Sequence, residues 1–179
     1  MSRCHATGLT GVPQLRALSL MFPEITRPSP NFTATPAHER LGVCFHHSAL
    51  DFDATVEHIL NADSLVSYHW LIAADGTRCQ LVADEQIAWH AGASEWLGRT
   101  RCNDFLLGVA FAGNTYHAPL TTAQVASALE WLAPRWAQHG WTTAHMTDHR
   151  QITPRRKDDL APAEWTRLLA AIVKKFEAG

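Results

Sequence analysis

The chain has 179 residues, of which 46% are hydrophobic and 18% charged, and its formal net charge at pH 7 is -2. A chain of this length is expected to form one domain that buries roughly two-thirds of its unfolded surface without needing disulfides or a structural metal ion. The balanced charge argues against nucleic-acid binding, and no apolar run approaches the ~20 residues of a membrane-spanning helix. We therefore expect a monomer with neither nucleic acid nor a membrane among its partners.

Residues 1–40 are predicted to form an extended N-terminal arm, because "ITRPSPNFTATPAHER" is rich in Pro, Ser and Thr. The apolar patch "LSLMF" is too short for the core of a signal peptide, and Met21 is an alternative start. The four cysteines form no Cys-x-x-Cys pair, and Cys44 and Cys79 lie in apolar runs, as reduced buried thiols do. These features predict a cytoplasmic protein.

The rest of the chain, residues 41–179, interleaves strand and helix patterns. Apolar runs predict buried strands at 41–47 and 104–113, and two further runs joined by Asp75-Gly76 predict a hairpin. Three segments predict helices: "DFDATVEHILNA" with Asp51 or Asp53 as N-cap, "AQVASALEWLAPRWAQHG" ending or kinking at Pro134, and "PAEWTRLLAAIVKKF" with Pro162 in its first turn. The expected fold is α/β, with a single mixed central β-sheet flanked by helices.

Two adjacent histidines, His46 and His47, stand at the polar end of the first predicted strand. Because successive side chains of a strand point to opposite faces, only one of them is expected to serve a given site. The segment "TDHRQITPRRKDD", residues 147–159, adds His149 and Asp159. Two histidines and a carboxylate with one open position are typical of catalytic zinc. The same segment could equally be a solvated turn, and the histidine pair could be structural.

Six segments resemble, in the same order, those of the zinc-dependent N-acetylmuramoyl-L-alanine amidases. This family includes the AmpD-type muropeptide amidases, phage amidases and the peptidoglycan recognition proteins. The segments are "FHHSA", "VSYHWLIAADG", "AWHAG", "GRTRCNDFLLGVAFAGNT", "TTAQ" and "TDHRQITPRRKDD". They extend from about Leu41 to Trp165, and "AWHAG" followed by "GRTRCNDF" is most similar to the AmpD branch. The resemblance implies a zinc amidase domain over residues 41–179.

The resemblance also implies roles for individual residues. Zinc would be held by His46, His149 and Asp159, with Asp158 a solvated neighbour. Lys157 matches a lysine of the AmpD branch, where a cation could bind the oxyanion that forms as water attacks the amide carbonyl.

One position departs from the AmpD branch. That branch carries a glutamate that helps to activate water, and Ala110 stands in its place here. The phage and recognition-protein branches use instead a tyrosine in "V-S-Y", which matches Tyr68. Tyr68 is therefore expected to orient the water or to donate to the tetrahedral intermediate, although it could also be a core aromatic residue.

Five further residues match segments that line the substrate groove of the AmpD branch, and each could instead pack the loops. Arg101 could pair with a muropeptide carboxylate. An arginine that the branch often has before "V-S" is replaced by Leu65. The five residues are Trp89, His90, Arg101, Asn103 and Asp104.

The resemblance implies hydrolysis of the amide bond between N-acetylmuramic acid and L-alanine in soluble muropeptides, as in cell-wall recycling. Two alternatives remain open. One is a non-catalytic protein that binds peptidoglycan fragments, although such proteins typically lack the third zinc ligand that this chain has in Asp159. The other is an exported lytic amidase that acts on the intact sacculus.

Overall fold

The computed structural model describes residues 22–35 and 38–178. The strands of these residues are β1 (Glu24–Thr26), β2 (Phe32–Thr33), β3 (Gly42–His47), β4 (Trp70–Ile72), β5 (Arg78–Gln80), β6 (Ile87–Ala88), β7 (Glu95–Trp96), β8 (Arg99–Thr100), β9 (Leu106–Phe111) and β10 (Met146–Asp148). The helices are α1 (Phe52–Leu60), α2 (Thr122–His139), α3 (His149–Ile152) and α4 (Pro162–Phe176). Short 3₁₀ turns occupy Ala62–Ser64, Cys102–Asp104 and Thr143–His145.

Six of the strands form the central sheet, in the order β1-β5-β4-β9-β3-β10. Strands β4, β9, β3 and β10 are parallel, β5 is antiparallel to β4, and β1 is parallel to β5. This arrangement confirms the predicted mixed sheet. The predicted hairpin is β4–β5, and Gly76 in its turn has a φ of +89°, which glycine adopts at little cost.

One face of the sheet packs against α2 and α4 to form the main apolar core. Strand β3 contributes Val43 and Phe45 to this core, and the side chains between them point to the opposite face. Helix α2 does not end at Pro134 but continues to His139. Pro134 is exposed and removes one backbone hydrogen bond, while Trp131 on the same helix stays buried in the core.

The opposite face of the sheet is covered by α1 and by the chain between β5 and β9. Helix α1 begins after Asp51, whose carboxylate accepts a hydrogen bond from the Ala54 N–H at 2.9 Å, so Asp51 rather than Asp53 is the N-cap. Apolar side chains under α1 surround Leu71 and Ala110 of the sheet. This less uniformly apolar face carries the histidines described below.

Part of the expected N-terminal arm completes the sheet. Strand β1 pairs with β5 at the sheet edge, and β2 pairs with β6. The fully buried guanidinium of Arg78 fastens this edge, because it lies 2.8 Å from a carboxylate oxygen of Glu24 and 2.8 Å from one of Glu130. Residues 1–21, including the alternative start at Met21, lie outside the described residues. Within the described ranges, no helix combines the length and apolar character needed to cross a membrane.

Candidate metal centre and adjoining cavities

Two histidines meet where two neighbouring parallel strands end. Strand β10 pairs with β3 so that Asp148 lies beside Phe45, and the next residue, His149, is level with His46. Both imidazoles project to the face opposite the apolar core, and their ring centroids are 4.5 Å apart. The crevice beyond the carboxyl ends of parallel strands is where α/β proteins commonly bind ligands.

A return loop brings a carboxylate to these histidines. Asp148 accepts a hydrogen bond from the Gln151 N–H (3.0 Å), which caps α3 at its start. After α3 the chain turns back, and the backbone N–H of Arg150 donates to the carbonyl of Asp159 (2.8 Å). The loop is thereby fastened beside α3, with the Asp159 carboxylate facing His149.

The three side chains converge through atoms that can bind a cation. His46 Nδ1 lies 3.0 Å from His149 Nδ1 and 3.1 Å from one Asp159 oxygen, and His149 Nδ1 lies 3.2 Å from the other oxygen. Ligand atoms about 2.0–2.1 Å from a tetrahedral zinc ion are roughly 3.3 Å from one another. The observed separations are close to this value, so the residues fit a zinc ion with one coordination position left open.

Burial sets the charges of this group. His46, His149 and Asp159 are 0%, 5% and 7% exposed. Burial, with the neighbouring His149, lowers the pKa of His46 to about 4. Burial alone would raise the pKa of Asp159, but its hydrogen bonds to His149 and His46 hold that pKa well below its usual value. At neutral pH the group therefore offers a neutral imidazole and a carboxylate, the forms that bind metal.

A second group of candidate ligands shares His46. Cys44, His46 and His90 also have ligand atoms within 4.8 Å of one another. Cys44 is fully buried in an apolar cluster with Phe105 and Leu106, so an ion held there would have no position open to a substrate. The first group instead borders a cavity, because His149 and Asp159 line it.

The cavity has a volume of about 340 Å³, and Tyr68 and Lys157 also line it. The Tyr68 ring lies 5.2 Å from the His46 ring, centroid to centroid. Its hydroxyl makes no hydrogen bond with residues in the described ranges, and burial raises the pKa of Tyr68 well above its ordinary value, so the phenol stays protonated. The Lys157 side chain is exposed, and its charge contributes to the lowered pKa of His46.

The family model described as N-acetylmuramoyl-L-alanine amidase matches residues 37–162. The chain belongs to this amidase family. It is 33% identical over 152 residues to the N-acetylmuramoyl-L-alanine amidase AmiD of Escherichia coli (strain K12), a match that covers 75% of this chain and 54% of AmiD. It is 40% identical over 108 residues to the 1,6-anhydro-N-acetylmuramyl-L-alanine amidase AmpD of Salmonella typhimurium (strain LT2), covering 60% of this chain and 57% of AmpD. The chain thus spans little more than half the length of these curated relatives.

Solved structures of amidases share the fold. A selenomethionine derivative of AmpD matches with a TM-score of 0.70 and 27% identity, covering 87% of this chain and 96% of that one. A complex of E. coli AmiD with anhydro-N-acetylmuramic acid-L-Ala-D-gamma-Glu-L-Lys matches with a TM-score of 0.64 and 29% identity, covering 78% and 60%. These matches confirm the predicted amidase fold.

In this chain, the residues expected at the substrate groove are distributed over three adjoining cavities. Trp89 lines the 340 Å³ cavity, Asn103 lines a neighbouring one of about 190 Å³, and Arg101 lines a third of about 800 Å³. Asp104 instead binds the guanidinium of Arg101 at 2.8 Å. His90 borders the first two cavities but is only 6% exposed, and its ring contacts a candidate metal ligand.

Two contacts that the sequence did not suggest fasten the loop before α4. The Thr115 hydroxyl lies 2.7 Å from His47 Nδ1 and accepts a hydrogen bond from the Ala161 N–H at 2.9 Å. The Tyr116 hydroxyl donates to the carbonyl of Asp158 at 3.0 Å. The only signal in the sequence was the polar "GNT" that follows β9, which has no recognisable capping or ligand spacing. These contacts hold the residues on both sides of Asp159.

Proposed function

We propose that this protein is a zinc-dependent N-acetylmuramoyl-L-alanine amidase that hydrolyses the amide bond between N-acetylmuramic acid and L-alanine in soluble peptidoglycan fragments. The observation that carries the proposal is the convergence of His46, His149 and Asp159, at 3.0–3.2 Å, beside a cavity. The relatives support the substrate class, since AmpD is named a 1,6-anhydro-N-acetylmuramyl-L-alanine amidase and an AmiD structure contains an anhydromuramyl tripeptide.

His46, His149 and Asp159 would hold the zinc ion. When bound, zinc would lower the pKa of water at its open position and polarise the amide carbonyl. The fold supports this role, because strand pairing fixes His46 beside His149 and the return loop is fastened at Asp159 by the Arg150 N–H. Less reorganisation is then needed on binding than for ligands held on mobile loops.

Tyr68 and Lys157 would stabilise the charge that develops during hydrolysis. The oxygen of water bonds to the lactyl carbonyl carbon, the C–N bond breaks, and one proton of the water goes to the amine of L-alanine. Negative charge accumulates on the carbonyl oxygen in between. Tyr68 offers a protonated hydroxyl with no competing partner among the described residues, and Lys157 offers a positive charge at the same cavity.

The residue beside His46 on the neighbouring strand is Ala110, which has no acid or base group, and this favours Tyr68 for the role. Ala110 lies beside His46 in the register of β3 and β9, and it is fully buried among apolar side chains. It therefore provides no carboxylate next to the candidate metal ligands. Tyr68 packs against the same apolar cluster and reaches the cavity from there.

We also propose that the protein acts in the cytoplasm, in muropeptide recycling. Cys44 and Cys102 are buried in the same apolar cluster as free thiols, which favours a reducing compartment. Cell fractionation with an antibody to the native protein tests this location. Recovery with the periplasmic or extracellular fraction would contradict it.

The activity is tested with a soluble anhydromuramyl tripeptide and with purified sacculi, each with and without a chelator. We expect mass spectrometry to show free tripeptide and anhydro-N-acetylmuramic acid, with activity lost on chelation and restored by zinc. In ¹⁸O-labelled water, one label should enter the lactyl carboxylate, because that carbonyl is the one attacked.

Two results would replace the proposal by one of its alternatives. Tight binding of the fragment without cleavage, in protein loaded with zinc, would indicate a sensor of peptidoglycan fragments. A rate on sacculi comparable to that on the soluble fragment would indicate a lytic amidase.

A further inference from the structure

A chain of hydrogen bonds leads from a backbone carbonyl to a candidate metal ligand. His90 Nε2 lies 3.0 Å from the carbonyl oxygen of Leu106, and His90 Nδ1 lies 3.1 Å from His46 Nε2. The other ring nitrogen of His46, Nδ1, faces His149 and Asp159. His90 therefore touches His46 on the side away from the candidate metal position.

The position of each proton in this chain follows from the chemistry of its ends. A carbonyl oxygen only accepts hydrogen bonds, so the proton of His90 is on Nε2. A second proton on Nδ1 would make His90 a buried cation beside other imidazoles, with no carboxylate of the described residues in contact, which is unfavourable. His90 Nδ1 is therefore an acceptor, and His46 Nε2 carries the proton that it accepts. His46 Nδ1 is left with a lone pair.

We propose that His90 is a positioning residue that holds His46 in the Nε2–H tautomer, with the Nδ1 lone pair directed at the metal position. This inference rests on the metal centre of the proposed function. It changes the role expected for His90 from substrate contact to support of a ligand. A hydrogen bond to the outer nitrogen of a metal-binding histidine sets both its tautomer and the orientation of its ring.

The surroundings of His90 are built to keep it in place. A Cβ at position 108 would lie 2.4 Å from the His90 ring, so only glycine at Gly108 lets the ring lie against β9. The side-chain oxygen of Asn103 accepts hydrogen bonds from the backbone N–H groups of His90 (3.0 Å) and Ala91 (2.7 Å). The position of the ring is thus set by the sheet on one side and by its own backbone on the other.

Without His90, His46 has a competing arrangement. Its Nε2–H would be buried without a partner, whereas a proton on Nδ1 could be donated to the Asp159 carboxylate 3.1 Å away. That tautomer blocks the nitrogen needed for the metal. Loss of such an outer contact typically weakens metal binding by about 10–100-fold.

Three variants test the inference through zinc affinity, measured by competition with a chelator, and a fourth is their control. His90→Leu removes the acceptor and should weaken zinc binding by about 10–100-fold. His90→Asn keeps an acceptor oxygen near the position of Nδ1 and should recover most of the affinity. Gly108→Ala changes no polar group but displaces the His90 ring, so it should also weaken zinc binding.

The matched control is His69→Leu. His69 is also fully buried and also makes two ring hydrogen bonds, to the Gly108 N–H and the Gln86 carbonyl. Its ring is a direct neighbour of the His90 ring, 5.8 Å away between centroids, but it contacts none of the three candidate ligands. We expect this variant to lower the melting temperature while zinc affinity stays within about threefold of wild type. A purely structural role of His90 would make His90→Leu behave in the same way.

The metal-free protein gives a second readout, the ¹⁵N shifts of His46 by NMR, assigned by their loss in His46→Asn. We expect the proton on Nε2 in the wild type and on Nδ1 in His90→Leu. A wild-type proton on Nδ1, or wild-type zinc affinity in His90→Leu, would overturn the inference. So would a second zinc ion per chain that is lost in both Cys44→Ala and His90→Leu, because His90 would then be a ligand. Zinc binding without amidase activity would refute the proposed function. The zinc affinities and the His46 ¹⁵N shifts would still test the role of His90, because neither depends on catalysis.

Discussion

The substitution Tyr68→Phe, which removes only the hydroxyl, distinguishes a catalytic role of Tyr68 from a purely structural one. In Tyr68→Phe the ring keeps its contact with the His46 ring, whose centroid is 5.2 Å away, and its packing beneath α1. The hydroxyl has no hydrogen-bond partner among the described residues, so the folded protein loses no internal hydrogen bond. The free energy of unfolding and the zinc content should therefore change little.

The effect of Tyr68→Phe should fall on kcat. Loss of one transition-state donor reduces kcat by on the order of 10²-fold, which corresponds to about 2.7 kcal/mol of activation free energy. The assay is release of tripeptide from an anhydromuramyl tripeptide, with zinc content and melting temperature measured on the same samples. Tyr116→Phe should give a different pattern, because its hydroxyl is bonded to the Asp158 carbonyl beside Asp159, so its loss should lower stability and zinc content together. Wild-type kcat in Tyr68→Phe would refute the reasoning.

The double variant Tyr68→Phe/Ala110→Glu tests whether a carboxylate at position 110 can replace the phenol. Partial recovery of kcat is expected, because both groups would act on the same water or oxyanion.

Three further predictions concern the ligands, the substrate and pH. Asp159→Ala should lose the zinc that Asp158→Ala retains by elemental analysis, since the Asp158 side chain is exposed; the reverse result would contradict the ligand assignment. Arg101→Ala should raise KM for the tripeptide more than it lowers kcat, as loss of uniform binding does, and a defect in kcat alone would exclude that role. In the metal-free protein, burial lowers the pKa of His46 and of His69 to about 4. Because the unfolded chain binds more protons below about pH 6.5, the free energy of unfolding should fall between pH 6.5 and 4, by on the order of 3 kcal/mol for each residue, and a flat profile in urea titrations would contradict this.

Local features of the fold could be predicted because their causes are local. Continuous apolar runs predicted the buried strands, Asp75-Gly76 predicted the hairpin, and Asp51 caps α1 through a residue three positions away. The same kind of local reasoning predicted that α2 ends or kinks at Pro134, but the helix continues to His139. A proline costs one hydrogen bond locally, but beyond it the partly buried Trp136 packs on the main core and stacks on Phe176 of α4, with ring centroids 4.5 Å apart. Such packing is a property of the whole fold.

In the candidate site, too, some features have local causes and others depend on the whole fold. The spacing of "FHHSA" and "TDHRQITPRRKDD" was enough to name His46, His149 and Asp159 together, by resemblance to a family. The parallel pairing of β3 with β10 brings His149, 103 residues further along the chain, beside His46. The return loop after α3 then brings Asp159, 113 residues from His46, to the same place. No local pattern encodes such a distance.

His90 marks what only the tertiary structure decided. The segment "AWHAG" identified it as a residue of interest and placed it in the substrate groove by resemblance. In the folded protein its ring lies against Gly108 and contacts His46, 44 residues away in sequence. The sequence by itself determined which residue types could bind a metal and which segments would be strands. Which nitrogen of each histidine faces the metal position is decided by long-range strand pairing and side-chain packing, because these alone bring the hydrogen-bond partners within 3.1 Å.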